Sequence, residues 1–206
     1  MTTTPLQRAT SDVSEEDLQL MALAQADLPS EFESYKIGRE GPLTNKMMAD
    51  QGFPGSSAER YQEIGRINGF MREFAGKSDA GDGANFMVAT VVHIFESSES
   101  VHTWMNDVFL HDFEDNIGTK LANDQELVAV ERLEPEGFFD EAVALKALHN
   151  ENEKLVSITI VDFRLGRLLG VAFIGTQGDH GRLDTATKVG LALEKNMVRV
   201  ALGGSS

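Results

Sequence analysis

Leu155-Val-Ser-Ile-Thr-Ile-Val-Asp-Phe163, Arg164-Leu-Gly-Arg167 and Leu168-Leu-Gly-Val-Ala-Phe-Ile174 form the stretch whose reading decides the fold. Two runs rich in β-branched and aromatic residues flank a short gap. Gly166 in that gap supplies the positive φ that a tight hairpin turn needs. A glycine-rich connector, Gly175-Thr-Gln-Gly-Asp-His-Gly181, follows. Beyond it, Ala186, Gly190, Leu193, Met197 and Val200 recur at 4,3,4,3 spacing, which predicts a helix from about Leu183 to Leu202 with one contact stripe. Gly203-Gly204 closes it as a C-terminal glycine does. The unit is strand, turn, strand, helix.

The same plan is legible upstream. Arg66 to Phe74 reads as a strand and Asn85 to Phe95 as a longer one, with the polar loop Gly76–Gly83 between them. Ser97-Ser-Glu-Ser100 then starts a helix to about Ile117, with Val101, Trp104, Met105, Val108 and Phe109 in one apolar arc and Gly118 as its cap. Asp107, Glu114 and Asp115 lie opposite that arc. Hairpin-plus-helix units thus span residues 66–117 and 154–204. In the strand 85–95, Phe86, Val88, Val92 and Ile94 alternate with Met87, Ala89, Val91 and Phe95, so both faces are apolar. Strands of that kind are covered on both sides. Residues 126–133 and 141–149 are further strands. Helix propensity competes in Ala142 to Leu148, but Asn150-Glu-Asn-Glu153 makes a natural turn between two strands. The expected fold is α+β, a mainly antiparallel sheet of about six or seven strands between helices.

Ahead of these units, residues 1–13 are polar, and Ser14-Glu-Glu-Asp17 resembles a capping box for a helix to about Gln25, ended by Leu28-Pro29. Phe32 to Arg39 is read as a first strand. Thr44 caps a short helix closed by Gly52, and Ser56 or Ser57 starts another that Gly65 breaks. Residues 1–26 are therefore expected as a flexible terminus and helical arm, and 27–203 as a single domain.

With 206 residues, 41% of them hydrophobic, the chain can bury a sizeable core. Its 33 acidic against 18 basic residues give a formal charge of −15, which repels phosphate backbones and anionic lipid; nucleic acid is not an expected partner. Lack of cysteine removes disulfides, thiolate nucleophiles and Cys-ligated metals. No apolar run approaches the roughly 20 residues that cross a bilayer. The first ten residues lack the basic-then-apolar pattern of a signal peptide. The expected location is extracytoplasmic if a leader or lipid anchor precedes this sequence natively, and cytoplasmic otherwise.

Three constellations could carry chemistry. The connector Gly175–Gly181 precedes a helix N-terminus, where Gly178, His180, Gly181 and Arg182 could hold an anion or other ligand. Its glycine spacing fits neither the dinucleotide nor the P-loop fingerprint, and Asp179 and Asp184 would oppose phosphate, so a turn is the simpler reading. Asp107, His111 and Asp115 stand at i, i+4, i+8 with Glu114 beside them, a spacing that lets two or three approach a metal ion. A solvated helix face explains them equally. Asp79-Ala-Gly-Asp82 lacks the spacing of a calcium loop and reads as a hairpin turn. His93 is read as a hydrogen-bonded core or edge residue, His149 and His180 as loop residues, and Trp104, Phe109 and Phe113 as packing. No serine-esterase elbow and no His-Glu-x-x-His motif is present, and no cofactor is expected.

Gly65-Arg-Ile-Asn-Gly-Phe-Met-Arg-Glu-Phe74, Leu28-Pro29 and the hairpin-plus-helix ending resemble a set of exported proteins and lipoproteins from Actinobacteria and Chloroflexi. Their plan is a Leu-Pro pair, a strand with Gly-Arg-x-x-Gly-aromatic-x-Arg-Glu-Phe, then a helix and paired strands. The resemblance spans about residues 27–203. Such domains are similar in architecture to PsbP-like α/β/α sandwiches and to extracellular sensor domains of mycobacterial kinases. The resemblance implies a sheet between helices and a binding or accessory role, with no catalytic residue set. The signal peptide and lipobox cysteine of those proteins have no counterpart here. The function expected is a non-enzymatic extracytoplasmic domain that binds a small molecule or a protein. The alternative is a cytoplasmic small-molecule binder or enzyme acting through the Gly175–Gly181 loop or the His111 face. Self-association into a homodimer through a sheet edge or the N-terminal helix is a third option.

Overall fold

Seven strands form one sheet: β1 (Lys36–Pro42), β2 (Arg66–Ala75), β3 (Asn85–Phe95), β4 (Glu126–Leu133), β5 (Ala142–Glu151), β6 (Lys154–Leu165) and β7 (Leu168–Gln177). The computed structural model describes residues 5–76, 81–120 and 125–203. Strand order is β1-β2-β3-β7-β6-β5-β4, and every neighbouring pair is antiparallel. The hairpins β2–β3 and β6–β7 lie side by side at the centre, joined by the β3–β7 ladder. Gly166, at φ +60, turns β6 into β7, with Leu165 paired to Leu168.

Both faces of the central strands are apolar, and both carry helices. On one face lie α1 (Pro5–Ser11), α2 (Asp17–Met21) and α7 (Leu183–Ala201), packing Met21, Leu193 and Met197 against Phe74, Val92, Phe163 and Ala172. On the other lie α3 (Asn45–Gln51), α4 (Ala58–Glu63) and a continuous helical run. That run comprises α5 (Ser98–Thr103), a π-helical stretch (Trp104–Phe109) and α6 (Leu110–Asp115). Hydroxyl caps start the helices of this second layer as the sequence predicts. Thr44 Oγ1 accepts from Met47 N, Ser57 Oγ from Arg60 N and Ser97 Oγ from Ser100 N. The result is the expected α+β sandwich. The helices of the two hairpin-plus-helix units leave the sheet to opposite faces, so the units share a plan and not an orientation.

Local differences from the sequence reading have physical causes. The helix expected to about Gln25 ends at Met21: Asn196 Nδ2 takes the carbonyls of Leu20 (3.0 Å) and Met21 (2.7 Å), and Arg72 Nη1 those of Ala22 (2.8 Å) and Leu23 (3.1 Å) beyond it. The first strand begins at Lys36; Phe32 instead closes a 3₁₀ turn, fully buried, with its ring edge-on to Tyr35. A register break between Asn85 and Met87 rotates Phe86 toward the same side as Met87, and its ring lies over Gly175. His149 is on β5, not in a loop. Asp79 and Gly204 lie outside the described residues.

The segment ahead of residue 27, read as a flexible terminus and arm, places Val13, Leu18, Met21 and Leu23 in the same core as α7. Arg167, the second turn residue of β6–β7, fastens it: Nε donates to Thr10 O (3.0 Å), and Nη2 to Ser11 O (3.1 Å) and Val13 O (2.8 Å). Hydrogen bonds from a charged donor are stronger than neutral ones. Arg167→Ala is therefore expected to lower stability by about 2 kcal/mol. Amide exchange should accelerate at residues 18–23 while β6 and β7 stay protected; uniform acceleration throughout would show that the arm is not separately held.

Candidate functional site

The second helical layer covers its face of the sheet only in part. Beside α3, α4 and α6 the floor residues Met71, Glu73, Met87, Ile158 and Phe173 stay half-buried, and a cavity of about 580 Å³ opens above them. That volume is in the range of small-molecule pockets. Strand register sets out the floor in rows. Met71, Val91, Val171 and Asp162 are cross-strand neighbours in one row; Glu73, Ala89, Phe173 and Ile160 form the next. Phe53 from the α3–α4 connection and Phe113 of α6, edge-to-face at 5.0 Å, make part of the wall. Arg60 of α4 holds Asp112 of α6 with two hydrogen bonds of 2.9 and 2.6 Å, which joins the two sides of the helical layer.

Polar groups gather at the inner end. Asp162, between Val161 and Phe163 of β6, is 1% exposed, and burial pushes its carboxyl up to about 8, opposed in part by a hydrogen bond from the Trp104 indole. Its Oδ1 has no partner, so the indole N–H serves the other oxygen. The Trp104 ring also lies 6.3 Å from His93 and 5.6 Å from Tyr61. His93, 3% exposed, accepts at Nδ1 from Arg66 Nε (3.2 Å), which leaves the ring proton on Nε2. Burial, then the adjacent guanidinium, holds His93 well below the usual imidazole range, so the ring is neutral. Arg66 is 1% exposed; its other hydrogen bonds go to Leu43 O (2.6 Å) and Asn45 Oδ1 (2.5 Å). Burial pulls Arg66 down to about 10. Gly69 makes this pair sterically feasible, since a Cβ there would stand 2.6 Å from His93 Nδ1 and 2.7 Å from Arg66 Nη2. On the far side of the cavity His149 keeps an unpartnered Nδ1, and burial lowers its basicity.

The residues singled out from sequence lie elsewhere. At the Gly175–Gly181 connector three backbone donors are engaged: Gly178 N with Leu155 O, His180 N with Ser157 Oγ and, just beyond it, Arg182 N with Thr159 Oγ1. His180 Nε2 meets Asp82 at 3.1 Å, and the Arg182 side chain binds Asn85 Oδ1, Gly83 O and Gly181 O. His180 and Arg182 thus fasten the β2–β3 loop to the start of α7, while Gly178 ties the connector to β6 and Gly181 O takes the Arg182 guanidinium. On the helical run, the His111 ring faces its own backbone at Asp107 O, and Glu114 pairs with Arg132. Among the described residues no three His, Asp or Glu side chains come together as a metal group, with Asp107, His111 and Asp115 included. Sequence reading reached His93 and Trp104 as core residues and did not reach the cavity. Its available signals were an acid, Asp162, inside a doubly apolar strand, and an arginine, Arg66, opening one.

No protein-family model matches the chain, and no curated protein sequence matches it. Among solved structures it is similar to the extracellular domain of PknH from Mycobacterium tuberculosis, with a TM-score of 0.60 and 11% sequence identity, covering 91% of this chain and 97% of that one. At that identity the likeness is one of fold.

A carboxyl whose folded value is raised favours the folded state below the ordinary aspartate range, and that advantage is lost as pH rises toward about 8. A neutral buried histidine acts in the opposite sense, costing stability as pH falls below the ordinary imidazole range. Asp162→Asn isolates the first effect. It is expected to raise Tm by several degrees at about pH 7.5 and to leave it nearly unchanged at about pH 4. Equal Tm shifts at both pH values would rule out a buried, neutral Asp162.

Proposed function

We propose that this chain is a non-enzymatic, extracytoplasmic domain that binds a small, largely apolar ligand between its sheet and its short-helix layer. The observation that carries this reading is the cavity itself: apolar walls, a few buried polar groups at one end, and an Asp162 oxygen left without a partner. Unpaired buried oxygen is costly, and a ligand group that satisfies it recovers that cost on binding. Asp162 and His93 stand on strands separated by β7 and are engaged by different partners, an arrangement suited to recognition more than to proton relay. Support for an extracytoplasmic setting comes from the fold likeness to an extracellular domain.

Trp104 is the only tryptophan in the chain and lines the cavity, so its emission reports on occupancy directly. Apolar probes such as an anilinonaphthalene dye are expected to quench or shift that emission and raise Tm. Ala89→Phe, which fills the floor between Glu73 and Phe173, should weaken the probe by about tenfold or more while the far-ultraviolet circular dichroism stays unchanged. Undiminished binding in that variant would place the probe outside the cavity and count against the reading.

A further inference from the structure

Behind His93, which lines the inner end of the cavity, lies a charge that the protein itself does not balance. Among the described residues Arg66 makes no ion pair; its hydrogen bonds go to neutral acceptors, Leu43 O, Asn45 Oδ1 and His93 Nδ1. A buried cation without a counter-charge is unfavourable, and an anion brought within reach offsets that cost. Two buried groups that line the inner end, His93 and Asp162, are donors. His93 presents its Nε2–H, because Nδ1 is taken by the guanidinium. Asp162 presents an Oδ1 with no partner, and in its buried, protonated form this oxygen has a hydrogen to donate. Acidic residues stand at the open side instead: Glu73 and Glu151, both half-buried, line the cavity there. Arg39, the cross-strand neighbour of Glu73, offsets their charge at the rim, so the donors at the inner end decide where an anionic group comes to rest.

We propose that the cavity takes an amphiphile with a single carboxylate head, inserted head first so that the carboxylate lies against His93 and Asp162 beneath Trp104. Its aliphatic chain then runs outward over Met71, Met87 and Phe173. The inference rests on the ligand-binding reading above and adds the chemistry of the ligand. An alkylammonium ligand would pair with an ionised Asp162 but would bring a second positive charge toward Arg66. A neutral alcohol or ester would fill the same apolar volume and leave the guanidinium unbalanced.

The test compares dodecanoate, dodecanol, methyl dodecanoate and dodecylammonium, each below its micelle-forming concentration, by Trp104 emission with the unaltered protein. Dodecanoate is expected to bind about tenfold or more tightly than any of the other three, the effect of a charge-assisted hydrogen bond in a desolvated site. Carbon-13 labelling of its carboxyl should show the bound head ionised to a lower pH than in water. Asp162→Asn, which keeps a donor, should retain dodecanoate affinity within about threefold, and Asp162→Leu should lose about tenfold. Arg66→Met removes the charge but also frees Leu43 and Asn45, so the ligand series on the unaltered protein carries the test alone. Equal binding of dodecanol and dodecanoate, both weakened by Ala89→Phe, overturns the carboxylate assignment and leaves the cavity reading standing. Tighter binding of dodecylammonium also overturns it. No binding of any of the four overturns both.

Discussion

The antiparallel ladder between β3 and β7 is the constraint on which the rest depends. It joins two hairpins that are each contiguous in sequence, and its residues are apolar on both sides: Val88, Val92, Ala172 and Ile174 on one, Ala89, Val91, Val171 and Phe173 on the other. Burial of such strands removes large apolar area from water only if helices are supplied to both faces. The supply is unequal. One face receives α7, 19 residues long; the other receives α3 and α4, of 7 and 6 residues, and the helical run through α6. The cavity lies on the face with the shorter elements, so the candidate site follows from incomplete cover of a two-sided sheet.

Much of this arrangement is legible in the sequence, for identifiable reasons. Strand alternation in residues 85–95 and 154–174, the cap residues Thr44, Ser57 and Ser97, and the stripe of α7 are local signals, and each element formed where its signal stood. Ala142 to Glu151 formed a strand despite good helix propensity, because both neighbours, β4 and β6, offer it a ladder. The candidate site was not legible in the same way. His93, Asp162 and Trp104 come from β3, β6 and the helical run, and no spacing in the chain announces that they meet. For Asp107, His111 and Asp115 the spacing is regular, but it does not fix where the side chains turn: His111 Nδ1 faces Asp107 O, and the neighbouring Glu114 pairs with Arg132 of the distant strand β4. Glycine spacing in the β7–α7 connector likewise says nothing of the β2–β3 loop that its polar groups bind.

The segment Gly65 to Phe74 shows how a string that looked purely architectural combines structure and site. Gly65, at φ +88, leaves no room for a side chain beside Ser100 Oγ and lets the chain enter β2. Arg66 then turns inward to His93, and Gly69 gives the pair its space. Phe70 and Phe74 enter the opposite core with α7, while Arg72 holds the Ala22 and Leu23 carbonyls beyond α2 and pairs with Glu40. One strand therefore serves the core through Phe70 and Phe74 and, through Arg66, holds the His93 ring that lines the cavity. Substitutions here would act on several layers together, and their effects would not add as those of distant sites do.

Unequal helices also give the molecule unequal stiffness. The α7 side is a continuous slab in which a long helix, the arm and two strands interlock, and Arg167 ties its ends together. On the cavity side, short helices start from single hydroxyl caps and are linked across α4 and α6 by the Arg60–Asp112 pair. Low-energy openings concentrate where elements are short and contacts few. Motion that admits a ligand would therefore be a displacement of the α3–α4 layer against a fixed backing. Such a domain can change the contour of one outer surface on ligation while the opposite surface, and any chain attached through the N-terminal arm, stays as it was.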